Sequence, residues 1–274
     1  MTLATALVAS PSGAPAQTSA RAARPASIIT WNVLIGGGTA AVRAFIAERN
    51  VVRAFVEGAA GGAVHVAGKY VGTRERDGAG IAGLLLASEG TSIVVNASEG
   101  IGIFDRTTVP VGPLRLTYAR AHPTRLRATL NAWESAMIAH NLLRTGLRVN
   151  WRRTGSYGAL VFDAPYRWIL TDGDRADGVT AAAPVVVISG FARDAELVMR
   201  HEATHLYQCW FMQDAWGLPL ERALRARVPA LRKIPSWLDL GIIAPAIATS
   251  NDVWFGDERF LSGAMEAEAY RLQR

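Results

Sequence analysis

Apolar and polar positions change their spacing twice along the chain, and the changes divide it into three regions. Residues 28–104 are dominated by small and apolar residues, with glycines at 36–38, 58, 61, 62, 68 and 72. No charge falls between Pro25 and Val42, and later apolar runs are broken only by single residues such as Glu57, Lys69 and Glu89. Gly58/Gly62 and Gly68/Gly72 have the GxxxG spacing that lets helices approach closely. The region predicts tightly packed Gly/Ala-rich helices in a soluble domain, with membrane contact as the alternative: the uncharged stretch is at the length threshold of a span, but its three glycines and Asn32 weaken it.

Residues 105–190 follow a two-residue period. Leu114, Leu116 and Tyr118 alternate within Val109–Arg120, and Leu126, Ala128 and Leu130 within Thr124–Leu130, as half-buried strands do. Tyr157–Phe162 and Pro184–Ser189 are short apolar runs bounded by Gly or Pro, a pattern of buried strands. A helix is predicted over Ala132–Leu143. Residues 191–274 turn helical: one helix over Asp194–Gln213 with Asp194 as its N-cap, a second over Pro219–Val228, and a last over Ser262–Gln273.

Residues 1–27 stand apart, rich in Ala, Ser, Pro and Thr. Leu3–Ala9 is a short apolar run, and Ala14-Pro15-Ala16 resembles an A-x-A cleavage site, although no Lys or Arg precedes the run. The segment reads as a secretory signal or a disordered tail. A periplasmic or envelope location is expected on that basis, with the cytoplasm as the alternative.

Composition narrows the function classes. Of 274 residues, 50% are hydrophobic, which supports a sizeable core and argues against disorder throughout. The formal charge is +6, but the basic residues are nearly all arginines scattered from Arg21 to Arg274, with Lys69 and Lys233 the only lysines. Without a clustered basic run or a groove-reading motif, nucleic-acid binding is not expected. The single cysteine, Cys209, excludes an intramolecular disulfide and a cysteine-rich zinc module.

The chemistry concentrates in His201-Glu202-Ala203-Thr204-His205, an HExxH motif inside an apolar helix. Positions i and i+4 share a helix face, so both imidazoles can reach one ion, a zinc ion (Zn2+). Glu202 projects to the side, where a carboxylate can take a proton from a zinc-activated water. A catalytic zinc needs a third protein ligand. No histidine follows His205, so a downstream ligand must be acidic. Gln208 and Phe211 stand where the metzincin extension requires Gly and His. The candidates are Glu266, in Met265-Glu266-Ala267-Glu268-Ala269-Tyr270, with Asp239 and Glu268 as alternatives.

The stretch from His201 to Gln208 resembles the HExxHxxQ helix of zincin-like peptidases, and Glu266–Ala269 resembles their ExEA helix. In the related E-x-x-A-D pattern of CAAX-prenyl-type membrane peptidases the first Glu is the third zinc ligand, which by resemblance is Glu266. The Asp of that pattern falls on Tyr270 here, so the group that supports a ligand histidine departs from the family. Pro235–Gly241 also resembles the P-x-W-L-x-E-G helix of another gluzincin group, but Leu240 stands at the ligand position. The resemblance covers about residues 190–272 and implies a gluzincin-type zinc peptidase.

Tyr270 is a candidate to bond a ligand histidine or a developing oxyanion. Gln208 is a candidate to orient Glu266 or cap a backbone group. Cys209 reads as an inert buried thiol. His65, His122 and His140 read as structural or surface residues.

These readings combine into an α+β protein, zincin-like, with a mixed or antiparallel sheet packed on the HExxH helix. The domains expected are the tail 1–27, a helical region 28–104 and a zincin-like domain 105–274. The expected function is peptide-bond hydrolysis on a peptide or protein substrate, with Val185–Ser189 receiving the substrate by strand addition. The alternative is a zincin-shaped envelope or membrane-associated protein without catalysis.

Overall fold

A computed structural model describes residues 25–241, apart from 75, 77, 145, 166–167, 170–174, 177 and 181–184, together with 268, 269, 271 and 272. Three long helices open the chain, α1 (Pro25–Ile46), α2 (Val51–Gly72) and α3 (Ala79–Glu99). Glycines bring them together: a Cβ on Gly36 would lie 2.5 Å from the Gly58 carbonyl oxygen, so no larger residue fits that crossing.

A meander follows, β1 (Arg106–Val111), β2 (Leu114–Ala119) and β3 (Leu126–Asn131). The apolar run from Val109 to Arg120 is therefore a hairpin rather than one strand, because Gly112 takes a left-handed φ of 55° and turns the chain. Next come α4 (Ala132–Arg144), β4 (Arg148–Val149), α5 (Trp151–Tyr157), β5 (Leu160–Ala164), the small pair β6 (Trp168–Ile169) and β7 (Arg175–Ala176), β8 (Gly178–Thr180) and β9 (Val185–Ser189). The expected strand at Tyr157–Phe162 starts three residues late. Asn150 caps α5 through the Arg153 amide at 3.0 Å, and Gly158 at φ 66° ends it, so Tyr157 belongs to the helix.

The HExxH helix is α6 (Ala195–Met212). Asp194 caps it as expected, accepting from the Leu197 amide at 2.9 Å. A π-helical turn, Gln213–Gly217, runs on into α7 (Leu218–Arg227), then α8 (Pro229–Arg232) and β10 (Leu238–Asp239).

The strands form a sheet in the order β1-β2-β3-β10 and a second in the order β4-β5-β9-β8. In the second sheet β5 and β9 are parallel and the outer pairings antiparallel, so it is mixed. Its residues alternate between two cores, as the pleat requires. Val161, Val186 and Ile188 pack with Met199, Ala203 and Leu206 of α6. Phe162 and Val187 pack with Trp133, Met137 and Ile138 of α4. On its other side α6 meets the N-terminal helices, through Leu84 and Ala87 with Tyr207 and Trp210, and through Ala40, Ala44, Ala54 and Val94 with Phe211. The protein is thus α+β, with α6 buried between a mixed sheet and the Gly/Ala-rich helices. The region 28–104 shares its cores with the HExxH helix.

The sheet order corrects one expectation. Val185–Ser189 is β9, flanked by β5 on one side and β8 on the other, so it has no edge to offer a substrate.

Candidate metal centre

Because α6 is covered on both sides, its polar stripe at positions 201, 205 and 208 is buried and needs partners. His201 and His205 lie one turn apart, with their Nε2 atoms 3.2 Å from each other and their rings edge to face. Two zinc–nitrogen bonds of about 2.0–2.1 Å would span that separation at an angle of roughly 100°, near the tetrahedral value. The two nitrogens are therefore spaced as two ligands of one zinc would be. Glu202, on the same helix, is 1% exposed.

The tautomer of His205 follows from its neighbours. Glu268 can only accept, so the amide nitrogen of Gln208 donates to its Oε2, at 2.8 Å. The Gln208 Oε1 then faces His205 Nδ1, at 2.8 Å, and accepts its proton. In the neutral imidazole this places the lone pair on His205 Nε2, the atom that approaches His201. Orienting a ligand histidine through its other nitrogen is the usual second layer of a metal site.

Glu268 is held in turn. Lys69 Nζ donates to both its oxygens at 3.0 and 2.9 Å, and to Asn32 Oδ1 at 2.9 Å. Asn32 Nδ2 donates to Glu268 Oε1 at 2.8 Å. Burial opposes the Glu268 charge, but Lys69, Gln208 and Asn32 more than offset it and hold the carboxyl below its ordinary range. One network thus joins α1, α2, α6 and the C-terminal segment, where Glu268, Ala269, Arg271 and Leu272 are helical.

Of the sequence candidates, His201, His205 and Glu202 lie together on α6. Glu268 gives its oxygens to Lys69, Asn32 and Gln208, which makes it a support for His205. Asp239 belongs to a different cluster, accepting from Arg115 at 2.8 Å and from the Gly241 amide at 3.0 Å. Glu266 and Tyr270 lie outside the described residues. Among the described residues no third His, Cys, Asp or Glu joins the two histidines. Gln208 bonds Glu268 and His205. Burial, with Glu134 and Glu202 nearby, pushes the Cys209 thiol up to about 12, which keeps it protonated and inert. His65 is buried against the Ala87 carbonyl and Thr91, and burial and Lys69 lower it to about 3.

Sequence reading passed over Lys69 and Asn32. Their signal was a lysine, one of two in the chain, inside an apolar helix, where a charge needs a buried partner. It also passed over Arg115, 1% exposed, which donates to Asp214 at 2.9 Å, Asp239 at 2.8 Å and Glu134 at 3.3 Å. Burial pushes Glu134 up to about 7; Arg115 opposes the rise, and Asp239 and Asp214 add to it.

Comparison with protein-family models, with curated proteins and with solved structures finds no match.

Proposed function

We propose that the chain is a zinc-dependent peptidase of zincin-like fold, with His201, His205 and Glu266 as ligands. The reading is carried by the approach of the two histidine Nε2 atoms to 3.2 Å, with His205 held in the ligand tautomer through Gln208. A bound zinc would supply Lewis acidity and lower the pKa of water in the site. Glu202 takes a proton from the attacking water and returns it to the leaving amine. Glu268, Lys69 and Asn32 act through Gln208 to keep His205 in place. Tyr270, four residues after Glu266 in the sequence, is assigned to steady the oxyanion. With β9 enclosed, an extended peptide is assigned to β8, the outer strand of that sheet, which lies beside α6. An envelope location fits the signal-like tail.

Metal analysis of the purified full chain tests the site. About one zinc per chain, lost in His205→Ala and in Glu266→Ala, is the expected result. No zinc after reconstitution overturns the reading. Zinc retained by Glu266→Ala removes Glu266 from the ligand set. Zinc without cleavage of any peptide in a diverse library, with wild type and Glu202→Gln alike, identifies the non-catalytic alternative.

A further inference from the structure

The outer surface of the N-terminal helices carries few of the charges a solvated face has. On α1 the exposed large side chains are Ile29, Trp31, Leu34, Ile35, Val42, Phe45 and Ile46, and no charge precedes Arg43 in that helix. On α2 they are Val51, Val52, Phe55, Val56 and Val71, and its one exposed ion pair, Arg53–Glu57, sits near its start. On α3 they are Ile81, Leu85 and Leu86, all in its first half. By length and composition Ala26–Ile46 and Ala79–Glu99 match membrane-crossing helices. Yet the opposite side of the layer is packed against α6, and the second half of α3 is buried, so only one side is open to lipid. Such a surface suits a bilayer interface.

One end of this surface is cationic. A cavity of about 400 Å³ beside the α2–α3 turn is lined by Arg74, Arg76, Arg152, Arg153, Arg200 and, as the one acid among the described residues, Glu196. Arg153 pairs with Glu196 and Asp163. Arg74, Arg76 and Arg152 are exposed, with no ion pair among the described residues. Glu75 and Asp77 alternate with Arg74 and Arg76 in the sequence, yet the arginines from three separate segments outnumber all these acids. A neighbouring hollow of about 420 Å³ shares Arg74 and Arg76 and is otherwise lined by Tyr70, Val71, Gly78, Ala79 and Ala82. The cationic cavity is therefore continuous with the apolar face.

We propose that the outer face of α1–α3 lies on a lipid bilayer, and that the arginine-lined cavity at the α2–α3 turn takes the headgroup of an anionic phospholipid. Guanidinium groups match phosphate oxygens in charge and geometry, while the apolar side chains enter the acyl region beside it. This assignment is independent of the metal site.

Flotation of the full chain with vesicles tests it, using phosphatidylcholine alone and phosphatidylcholine mixed with phosphatidylglycerol. The chain is expected to float with the mixed vesicles and more weakly with the neutral ones. Arg74→Gln, Arg76→Gln and Arg152→Gln should each weaken binding to mixed vesicles about fivefold and leave binding to neutral vesicles unchanged. A triple variant, Phe45→Gln, Val52→Gln and Val56→Gln, changes exposed positions only; it should abolish flotation with both vesicles at unchanged circular dichroism. A chain that floats with neither vesicle overturns the proposal. So does flotation indifferent to the arginine and apolar substitutions, or a dimer in vesicle-free solution that the triple variant dissociates, which would give the face to a second copy.

Discussion

Lys69 Nζ lies 2.9 Å from Glu268 Oε2, across 199 residues of sequence, with both side chains buried. The pair joins the Gly/Ala-rich layer to the segment that follows the HExxH helix. Gln208 extends it to His205, so the orientation of a candidate zinc ligand depends on a lysine from α2. The N-terminal layer is therefore part of the site's support.

Lys69→Met should be strongly destabilising, because it strands a buried carboxylate. Breaking a buried pair on one side costs about 3–5 kcal/mol, and the double variant Lys69→Met/Glu268→Gln should recover part of it. Zinc affinity should also fall, by about 10–100-fold, through the loosened Gln208 and His205. Urea unfolding and chelator competition measure the two effects. The pH dependence has a definite sign. The folded-state pKa of Glu268 is lowered, so its stabilisation is present above the unfolded value of about 4.3 and lost as pH falls through the folded one. A Lys69→Met chain as stable as wild type would remove the pair from the support of the fold.

Gln208→Ala should leave the fold intact and weaken zinc binding about 10–100-fold, because His205 Nδ1 loses the acceptor that fixes its tautomer. Gln208→Glu keeps an acceptor for His205 but sets a second carboxylate against Glu268. It should bind zinc more tightly than Gln208→Ala at the cost of lower stability. Equal zinc affinity in wild type and Gln208→Ala, read by competition with a chelating dye, would mean that the 2.8 Å contact does not tune the ligand.

Local patterning made α6, its Asp194 cap and the HExxH pair legible, because capping and i,i+4 spacing act within a few residues. The strands at Leu126–Asn131 and Val185–Ser189 were legible for the same reason. Strand order was not: β9 lies between β5 and β8 only after the chain folds, and nothing local in Val-Val-Val-Ile-Ser distinguishes a central strand from an edge. The partnership of Asn32, Lys69, Gln208 and Glu268 was equally hidden, since its members come from four distant segments. An isolated lysine in an apolar helix shows only that a partner must exist.

Glu134 provides a second pH test, with the opposite sign. Arg115 faces three carboxylates, Glu134, Asp214 and Asp239, and one guanidinium cannot balance all of them. Glu134 rises to about 7 in the folded state, so the native chain binds the extra proton. Its contribution is favourable below about pH 4.3, the unfolded value, and declines as pH rises towards 7. Glu134→Gln should therefore flatten the stability profile over that window. Above it the variant should be more stable than wild type by about 1–2 kcal/mol, part of the gain being lost with the weaker amide bond to Arg115. Unfolding titrations at acidic, neutral and mildly alkaline pH measure this; parallel profiles for the two chains would contradict it.

Gly72 and Tyr207 supply the last test, of the close contact between α2 and α6. A Cβ on Gly72 would collide with the Tyr207 hydroxyl, and that hydroxyl donates to the Gly80 carbonyl at 3.3 Å. Gly72→Ala gains helix propensity but forces apart two packed elements, for a net loss of about 1–3 kcal/mol. Tyr207→Phe loses a hydrogen bond worth about 1 kcal/mol. In the double variant the worst collision is gone and the ring carbon Cζ, at 2.8 Å, becomes the nearest contact, so the combined loss should be smaller than the sum of the single losses. A thermodynamic cycle from chemical unfolding reads the coupling directly. Strict additivity would mean that α2 relaxes away from α6 without consequence. A coupling of the expected sign would show that Gly72 is small because Tyr207 occupies the space beside it, which keeps the layer bearing Lys69 close enough to reach Glu268.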